Sequence, residues 1–494
     1  MQGNGNFTVY KSSAGSGKTY TLVREYITIA LKSPRYFKSI LAITFTNKAA
    51  AEMKQRIIIS LTHMANPQKY TDTAAVKFMM PDIAKATGFS VNEIAEKSTQ
   101  TLTQILHHYD DFAIKTIDSF VSNIIRTFAH DLHLPVDFEI ELTHEKLLDE
   151  AVGKILDKIG VDKEITELLL AYADAKMEDD LSWDIELNLK QTGKEIFEER
   201  SIPFLAALKN YSPQRIKEIS QHIRARLKHI ENHLLQLAKN ALTIINQQGV
   251  SPEWLMYGKN GIYSFFNRLH NKQIVLPSDK IATSVSENKW YASKCTVSQK
   301  LAVDAVKNEL EVIFKDIVDY LNKNFSEYNL LLLISRNVYQ MGVLAELQQQ
   351  VEAISRENAV VHISEFNKRI IDIILKEPVP FIYERIGERY HHYLIDEFQD
   401  TSELQWKNLL PLLGETLAGG NFNLVVGDGK QAIYRFRNGN VEQFVTLPQL
   451  PPSFEKHIFA ETADALAANY VGNELLTNFR SKQEIVNFNN ALFT

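Results

Sequence analysis

The chain is poor in cysteine, with Cys295 as the single example among 494 residues. One cysteine excludes an intramolecular disulfide and a cysteine-ligated metal cluster, and it is compatible with a reducing compartment. The first six residues are polar and contain no signal-peptide core. The apolar run Leu330–Ile334 is far too short to span a bilayer. We therefore expect a cytoplasmic protein without a membrane partner.

An excess of positive charge is also missing. The 54 lysines and arginines are outnumbered by 60 aspartates and glutamates, which gives a net charge of −6. This balance excludes a wholly basic nucleic-acid coat, although it allows a local basic groove. The apolar fraction of 45% is typical of a globular protein. The length predicts roughly two to four domains.

What the chain does have is a loop of small residues near its start. The apolar run Phe7–Tyr10 precedes Ser12–Thr19 (SSAGSGKT), and the helix-like stretch Tyr20–Leu31 follows. A loop between a strand and a helix turns backbone N–H groups toward a triphosphate, and the helix N-terminus adds partial positive charge. Lys18 would reach the β- and γ-phosphates, and Thr19 would bind Mg²⁺. A helix cap is the structural alternative, because Ser12 replaces the first glycine of the usual pattern.

Strand-like and helix-like segments alternate at both ends of the chain, which predicts an α/β fold with a parallel sheet. Further strands are predicted at Ser39–Phe45, Phe112–Ile117, His391–Asp396 and Asn423–Asp428. From residue 128 to 355 helical patterns dominate, including an apolar stripe between Ile216 and Leu234. The opposite face of that stripe is basic. It is either a solvated face or a contact surface for the DNA backbone.

Two of the later strands end in residues that suit phosphate chemistry. A carboxylate at the end of a strand, here Asp396, can hold the Mg²⁺ of a bound nucleotide, and the adjacent Glu397 can deprotonate the attacking water. Gln431 would report whether the γ-phosphate is intact. The alternatives are an acidic surface loop for the first two residues and a polar turn for the third.

Aromatic residues near the same strands suit single-stranded nucleic acid. Tyr434 and Phe436 alternate with two arginines, a combination that favours stacking on bases and contact with phosphates. Phe45 would also stack on a base, while the three residues after it, Thr46, Asn47 and Lys48, would hold the strand backbone. A core position for Phe45 is the alternative.

Taken in chain order, these segments resemble the motifs of superfamily 1 DNA helicases of the UvrD/Rep type. Motifs I, Ia and Ib are resembled by Ser12–Thr19, Thr44–Met53 (TFTNKAAAEM) and Thr116–Phe120. Motifs II, III and IV are resembled by Asp396–Thr401 (DEFQDT), Gly427–Arg437 and Thr477–Ser481 (TNFRS). Lys430–Arg437 (KQAIYRFR) is similar to the KQSIYRFR of the RecB/AddA branch.

The resemblance implies an ATP- and Mg²⁺-dependent 3′-to-5′ translocase of DNA break repair, acting on single-stranded or duplex DNA with a partner subunit. Catalytic roles would belong to Lys18, Glu397, Gln431 and Arg480. ATP would contact Ala14, Gly15, Ser16, Gly17, Lys18, Thr19, Tyr20, Phe479 and Arg480, and the metal would bind Thr19 and Asp396. DNA would contact Phe45, Thr46, Asn47, Thr116, Tyr434, Phe436 and Arg437.

The resemblance also implies a P-loop NTPase (RecA-like) core split by an all-helical insertion. Domain 1A would comprise residues 1–127 and 356–450, the helical domain 1B residues 128–355, and a linker with the start of domain 2A residues 451–494. One departure is Asp118, which stands where the family has histidine and would repel a DNA phosphate. Because the chain stops soon after motif IV, we expect it to be the N-terminal part of a longer protein.

Two other functions are compatible with the residues. The chain alone would bind ATP and DNA but turn over poorly if half of the nucleotide cleft were missing. It would be a different phosphate-loop NTPase if the motif order were coincidental, although neither an Asn-Lys-x-Asp guanine motif nor a Leu-Ser-Gly-Gly signature occurs in the sequence.

Overall fold

The computed structural model describes residues 5–129, 138–141, 143–178, 184–376, 386, 388–454 and 456–493. The chain forms two compact units. The first comprises Met1–His144, Phe197–Ser201 and Ile354–Thr494, and the second comprises Glu145–Ile196 and Ile202–Ala353. The first unit is mixed α/β with a parallel sheet, as the sequence predicts, and helices make up the second.

The strands of the first unit form a six-stranded sheet and a small two-stranded one. The sheet strands are β1 (Phe7–Ser12), β2 (Ile40–Thr44), β3 (Ile114–Thr116), β6 (His392–Ile395), β7 (Asn423–Gly427) and β8 (Tyr470–Leu475), and the small pair is β4 (Glu139–Glu141) and β5 (Val360–His362). The order in the large sheet is β3-β2-β6-β7-β1-β8. Every pairing is parallel, so the carboxyl ends of all six strands meet at one edge.

The helices are numbered along the chain. They are α1 (Lys18–Ala30), α2 (Asn47–Ala65), α3 (Met80–Thr87), α4 (Val91–His107), α5 (Ile117–Thr127), α6 (His144–Leu156), α7 (Lys163–Glu178), α8 (Ile185–Gly193), α9 (Ile202–Leu208), α10 (Pro213–Gln247), α11 (Ile262–His270), α12 (Asp279–Ser286), α13 (Val297–Glu357), α14 (Ile363–Lys376), α15 (Glu403–Ala418), α16 (Val441–Val445), α17 (Lys456–Asn469) and α18 (Gln483–Phe493). Single 3₁₀ turns follow β6 at Phe398–Asp400 and β7 at Gly429–Gln431.

Two apolar clusters hold the sheet in place. One face of the sheet packs on a cluster that includes Phe7, Ile43 and Trp406, and the other face packs on a cluster that includes Leu22, Ile57 and Leu424. Parallel strands covered on both faces are apolar along their length, and all five residues of β2 and of β7 are indeed buried. The carboxyl ends of the six strands are therefore held in place by a packed core on both faces of the sheet.

The second unit has its own core along α10 and α13. Ile223, Ile230 and Leu234 of α10 are buried in this core with Leu310 and Ile317 of α13. By length and composition alone, the 61-residue helix α13 would suffice to cross a membrane. Some of its apolar residues, including Leu310 and Ile317, are buried in the core of the second unit. Of the basic residues on α10, Lys217 and Arg226 pair with acids of the same unit.

The segment after residue 450 differs from the expected linker. Within it, β8 pairs in parallel with β1 from Phe7↔Tyr470 to Ser12↔Leu475, and α17 packs on α15. Residues 456–475 therefore complete the sheet of the first unit. The sequence signal was weak because β8 is an edge strand whose residues are half-exposed, so it lacks the continuous apolar run of a buried strand.

The short segment Phe197–Ser201 contributes a carboxylate to the first unit. The Ser402 hydroxyl, which caps α15, donates a 2.8 Å hydrogen bond to Glu199 Oε1. Burial raises the pKa of Glu199 to about 7, nearby carboxylates add to the rise, and the Ser402 hydroxyl and a backbone N–H oppose it. Above neutral pH, the ionised carboxylate of Glu199 therefore destabilises the folded state.

Glu199→Gln is expected to change how stability depends on pH. In the folded state Glu199 keeps its proton up to about pH 7, whereas in the unfolded chain it loses the proton near pH 4.5. Protonation of Glu199 therefore stabilises the fold at low pH, and that contribution is lost as the pH rises through 7. We expect the variant to gain about 1–2 kcal/mol on the wild type between about pH 5 and 8 in urea unfolding. A difference that stays constant with pH would contradict this.

Candidate nucleotide and nucleic-acid site

The glycine-rich loop (Ser12–Thr19) connects β1 to α1 at the carboxyl edge of the sheet. Gly15 and Gly17 adopt left-handed conformations with φ of 75° and 88°, and Ser16 bonds back to the Ser13 carbonyl through its N–H and its hydroxyl. The loop therefore ends directly on the N-terminus of α1, where the unpaired N–H groups favour an anion.

Ser12, which replaces the first glycine of the usual pattern, makes a hydrogen bond that a glycine could not make. Its hydroxyl donates a 2.7 Å hydrogen bond to the carbonyl oxygen of Gly427 at the end of β7. The serine thus ties the start of the loop to the neighbouring strand, which a glycine could not do.

The Lys18 ammonium is where distant parts of the chain converge. Nζ donates to Glu397 Oε2 at 3.2 Å and to Gln431 Oε1 at 3.2 Å. Glu397 follows β6 and lies 379 residues away in sequence, and Gln431 follows β7. The side chain of Lys18 is 11% exposed and that of Glu397 is 31% exposed. A cation, a carboxylate and an amide therefore share one half-buried cluster.

Asp396 lies beside this cluster at the end of β6 and is buried. Burial raises the pKa of Asp396 to about 7, and the adjacent Glu397 charge raises it too, whereas the Glu397 N–H and Lys18 lower it. That N–H donates to Asp396 Oδ1 at 3.0 Å. A nearby cation would stabilise the ionised form of such a buried carboxylate.

The segment Thr477–Ser481 bonds directly to the glycine-rich loop. Asn478 Nδ2 donates to the Ala14 carbonyl at 3.1 Å, and the Phe479 N–H donates to the Gly15 carbonyl at 2.9 Å. Asn478 Oδ1 in turn accepts the Arg480 N–H at 2.9 Å. Phe479 and Arg480 therefore lie at the loop, and the Phe479 side chain is 78% exposed.

Gly15→Ala is expected to disturb this junction. A Cβ at Gly15 would lie 2.7 Å from the Arg480 Cβ and 2.8 Å from Asn478 Oδ1, and the φ of 75° is unfavourable for alanine. We expect nucleotide affinity to fall about tenfold, or about 1.4 kcal/mol, in a fluorescent-ATP titration, because the glycine-rich loop and the Asn478–Arg480 segment would have to move apart to make room for the Cβ. Gly88→Ala is the matched control, since Gly88 has a φ of 77° but open space around it. Equal loss of affinity in both variants would overturn the expectation.

An aromatic pair joins the residue after β2 to the segment that follows the 3₁₀ turn beyond β7. The rings of Phe45 and Tyr434 stack with centroids 4.4 Å apart, and Phe436 follows at 5.8 Å from Tyr434. Phe45 is half-buried and packs on Tyr434 at the surface, so the surface interpretation holds over the core one. Phe436 is 72% exposed. Thr46 and Asn47 are exposed beside the pair, as is Arg437.

Thr46 and Thr116 have a structural role in the described chain. Each is a helix N-cap, with its hydroxyl accepting the N–H of Ala49 in α2 or of Ser119 in α5. The carboxylate of Asp118 accepts a 3.1 Å hydrogen bond from Gln405 Nε2. Asp118 therefore has a hydrogen-bond partner within the protein.

Tyr20 and Thr19 belong to the first turn of α1. Tyr20 packs against the apolar cluster of α1, α2 and β2, and its hydroxyl is buried. The nucleotide contact predicted for Tyr20 stays a prediction, as does Mg²⁺ binding by the half-buried Thr19.

Sequence reasoning missed the residues that hold the cluster together. Gln399 is 1% exposed and contacts Glu397, Asp400 and the backbone of Asp428. Asp428 Oδ2 accepts a 2.6 Å hydrogen bond from Gln431 Nε2. The one available signal was their position directly after β6 and β7, shared with the predicted acids.

Comparison with known proteins identifies the family. The model of the UvrD/REP helicase N-terminal domain matches residues 2–452. The chain belongs to the UvrD/REP helicase family. The Lys18, Glu397 and Gln431 cluster of this UvrD/REP helicase chain lies within the matched range, whereas Thr477–Ser481 lies beyond it.

Three relatives are each described as one of the subunits of an ATP-dependent helicase/nuclease. The protein from Clostridium novyi (strain NT) is 23% identical and the alignment covers 98% of this chain and 37% of the relative. Those from Lysinibacillus sphaericus and Lactobacillus johnsonii are 24% and 25% identical, with 99% of this chain covered and 38% and 39% of the relative. This UvrD/REP helicase chain thus spans less than two-fifths of the length of these relatives.

Proposed function

We propose that this protein is an ATP-dependent single-stranded DNA translocase or helicase that moves 3′ to 5′ in a RecB/AddA-like repair protein. The observation that carries the proposal is the contact of Lys18 with both Glu397 and Gln431. It unites a phosphate-binding ammonium, a base and a γ-phosphate sensor at the end of a parallel sheet. The polarity rests on the resemblance of the ordered motifs to the UvrD/Rep type.

We further propose that the first unit is a RecA-like core with the glycine-rich loop as its P-loop, split by a helical insertion. Support comes from the second unit, whose two stretches, 145–196 and 202–353, fall within the proposed insertion 128–355. Residues 1–127 and 356–450 would be the two parts of domain 1A. Residues 476–494, after β8, would begin domain 2A.

The donor set fits Mg²⁺. Asp396 is a buried carboxylate whose raised pKa reflects unfavourable desolvation, and a hard cation with phosphate and water as its other ligands would relieve it. Thr19 and Asp396 would hold the ion, which when bound neutralises charge on the phosphates. On binding ATP, Lys18 would exchange its contacts with Glu397 and Gln431 for contacts with phosphate oxygens. Glu397 would then be free to accept the proton of the attacking water.

Phe479 and Arg480 would complete the site. Their segment is bonded to the carbonyls of Ala14 and Gly15, which supports adenine packing by Phe479 and contact of Arg480 with the γ-phosphate. Phe45, Tyr434 and Phe436 would stack on bases of a single strand.

A partner subunit is also proposed. The relatives are named as subunits of a helicase/nuclease. We also propose that the protein acts in DNA repair and in the cytoplasm. The single cysteine agrees with that compartment.

ATPase and translocation assays test the proposal. We expect hydrolysis of ATP by the full-length protein to rise with single-stranded DNA, and streptavidin to be displaced faster from a 5′ biotin than from a 3′ biotin, as expected for 3′-to-5′ movement. Binding of ATP and DNA without turnover would favour a binding role instead. A preference for GTP in competition binding would favour an unrelated phosphate-loop NTPase.

A further inference from the structure

A buried amide lies between the two halves of the proposed site. Gln399 is in the 3₁₀ turn after β6 and is 1% exposed. Its Nε2 donates to Glu397 Oε2 at 2.8 Å and to Asp400 Oδ2 at 3.3 Å, and its Oε1 accepts the Asp428 N–H at 2.9 Å. Glu397, Gln399, Asp400 and Asp428 are called the amide bridge below.

One end of the amide bridge leads to the nucleotide cluster. Asp428 accepts from Gln431 Nε2 at 2.6 Å, and Gln431 Oε1 accepts from Lys18. Glu397 contacts the same ammonium directly. Gln399 is therefore bonded directly to Glu397, one partner of Lys18, and it reaches Gln431, the other partner, only through Asp428.

The other end leads to the aromatic pair. The turn that carries Tyr434 is hydrogen-bonded to the segment that carries Asp400: the Gly439 N–H donates to the Tyr434 carbonyl at 3.2 Å, and the next residue, Asn440, donates its N–H to the Thr401 carbonyl at 3.0 Å. Burial and the Glu397 charge raise the pKa of Asp400 to about 6, and the N–H groups of Ile433 and Tyr434 oppose that rise. Tyr434 stacks on Phe45. A shift of the Tyr434 turn would thus act on Asp400, and through Gln399 on Glu397.

The chemistry of this position requires an amide. Two carboxylates need a donor and one backbone N–H needs an acceptor, and a primary amide supplies both at once. Space is also reserved for it, because a Cβ at Gly427 would lie 2.8 Å from Gln399 Oε1. A buried group with three charged or backbone partners holds its neighbours in one arrangement.

We propose that Gln399 is a positioning residue through which DNA on the Phe45–Tyr434 pair orients the base Glu397. The inference rests on the proposed function and adds to it the side chain that links the two ligand sites. With DNA bound, the turn that carries Tyr434 fixes Asp400, and Gln399 holds Glu397 toward the attacking water. Without DNA, Glu397 stays with Lys18.

Steady-state ATPase assays of full-length Gln399→Leu test this. The leucine is similar in size but offers no hydrogen bond. We expect the DNA-stimulated kcat to fall about tenfold toward the DNA-free rate, since a lost bond to a charged group is worth about 1.5–3 kcal/mol. The DNA-free rate, the KM for ATP and the affinity for a fluorescent oligonucleotide should each change less than about threefold. A purely structural role would lower both rates together.

Gln443→Leu is the matched control. Gln443 is equally buried and donates to the Thr401 carbonyl at 2.6 Å, outside the amide bridge. It should lose a similar thermal stability while its stimulation by DNA stays at the wild-type ratio. Gln399→Met is the second variant if the leucine does not fold, because its flexible thioether chain fills irregular space and offers no hydrogen-bond donor. It should also lose DNA stimulation.

The two proposals fail differently. Wild-type protein without DNA-stimulated hydrolysis would refute the proposed function and this inference with it. Normal stimulation in both Gln399 variants, or an equal loss in Gln443→Leu, would overturn this inference alone.

Discussion

Lys18→Ala is expected to reduce ATP hydrolysis by about 10²–10³-fold, in the range found when one preorganised charge-stabilising donor is removed. The ammonium is 11% exposed and contacts Glu397 and Gln431, so alanine removes the cation and leaves both partners without it. Nucleotide affinity should fall as well, because Lys18 would bind the phosphates. Initial rates at saturating DNA and a fluorescent-ATP titration measure the two effects.

The control for Lys18→Ala is Lys85→Ala, which removes an exposed lysine of α3. Its rate and affinity should match the wild type. Hydrolysis that survives in Lys18→Ala at more than about a tenth of the wild-type rate would be incompatible with the role given to this lysine.

Glu397→Gln is expected to separate binding from chemistry. The change removes the carboxylate that would accept the proton but keeps the size of the side chain, so kcat should fall about 10²–10⁴-fold. ATP should bind at least as tightly as in the wild type, because the ion pair that occupies Lys18 at 3.2 Å is lost. Single-turnover hydrolysis and equilibrium binding measure the two quantities.

Glu442→Gln provides the comparison for Glu397→Gln, since Glu442 is an exposed acid of α16. It should behave as the wild type in both assays. If Glu397→Gln instead lost ATP binding and hydrolysis in parallel, Glu397 would have to be assigned to binding rather than to the chemical step.

The sequence was sufficient to predict which strand ends carry the site. Strands at residues 7, 40, 392 and 423 were expected from apolar runs, and parallel pairing brings their carboxyl ends together. Lys18, Asp396 and Gln431 follow such strand ends, so the sequence alone predicts that they lie close together.

The partners of these residues could not be predicted in the same way. Gln399 and Asp428 hold the cluster through side-chain bonds between segments 29 residues apart, and no local periodicity reports such contacts. Ser12 looked like a defect in its motif, yet its hydroxyl bonds to Gly427 across the sheet. The strand β8 was not predicted from the sequence, because its half-exposed residues form no continuous apolar run.

The position of β1 in the sheet has a consequence for how the protein is made. This strand lies between β7 and β8, whose residues begin at 423 and 470. One hydrogen-bonding edge of β1 thus stays unpaired until residue 427 has been synthesised, and the other until residue 475. Contacts of such sequence separation form slowly. While residues 13–422 are synthesised, the nascent chain therefore carries β1 without a partner at either edge, and we expect chaperones to bind at that strand.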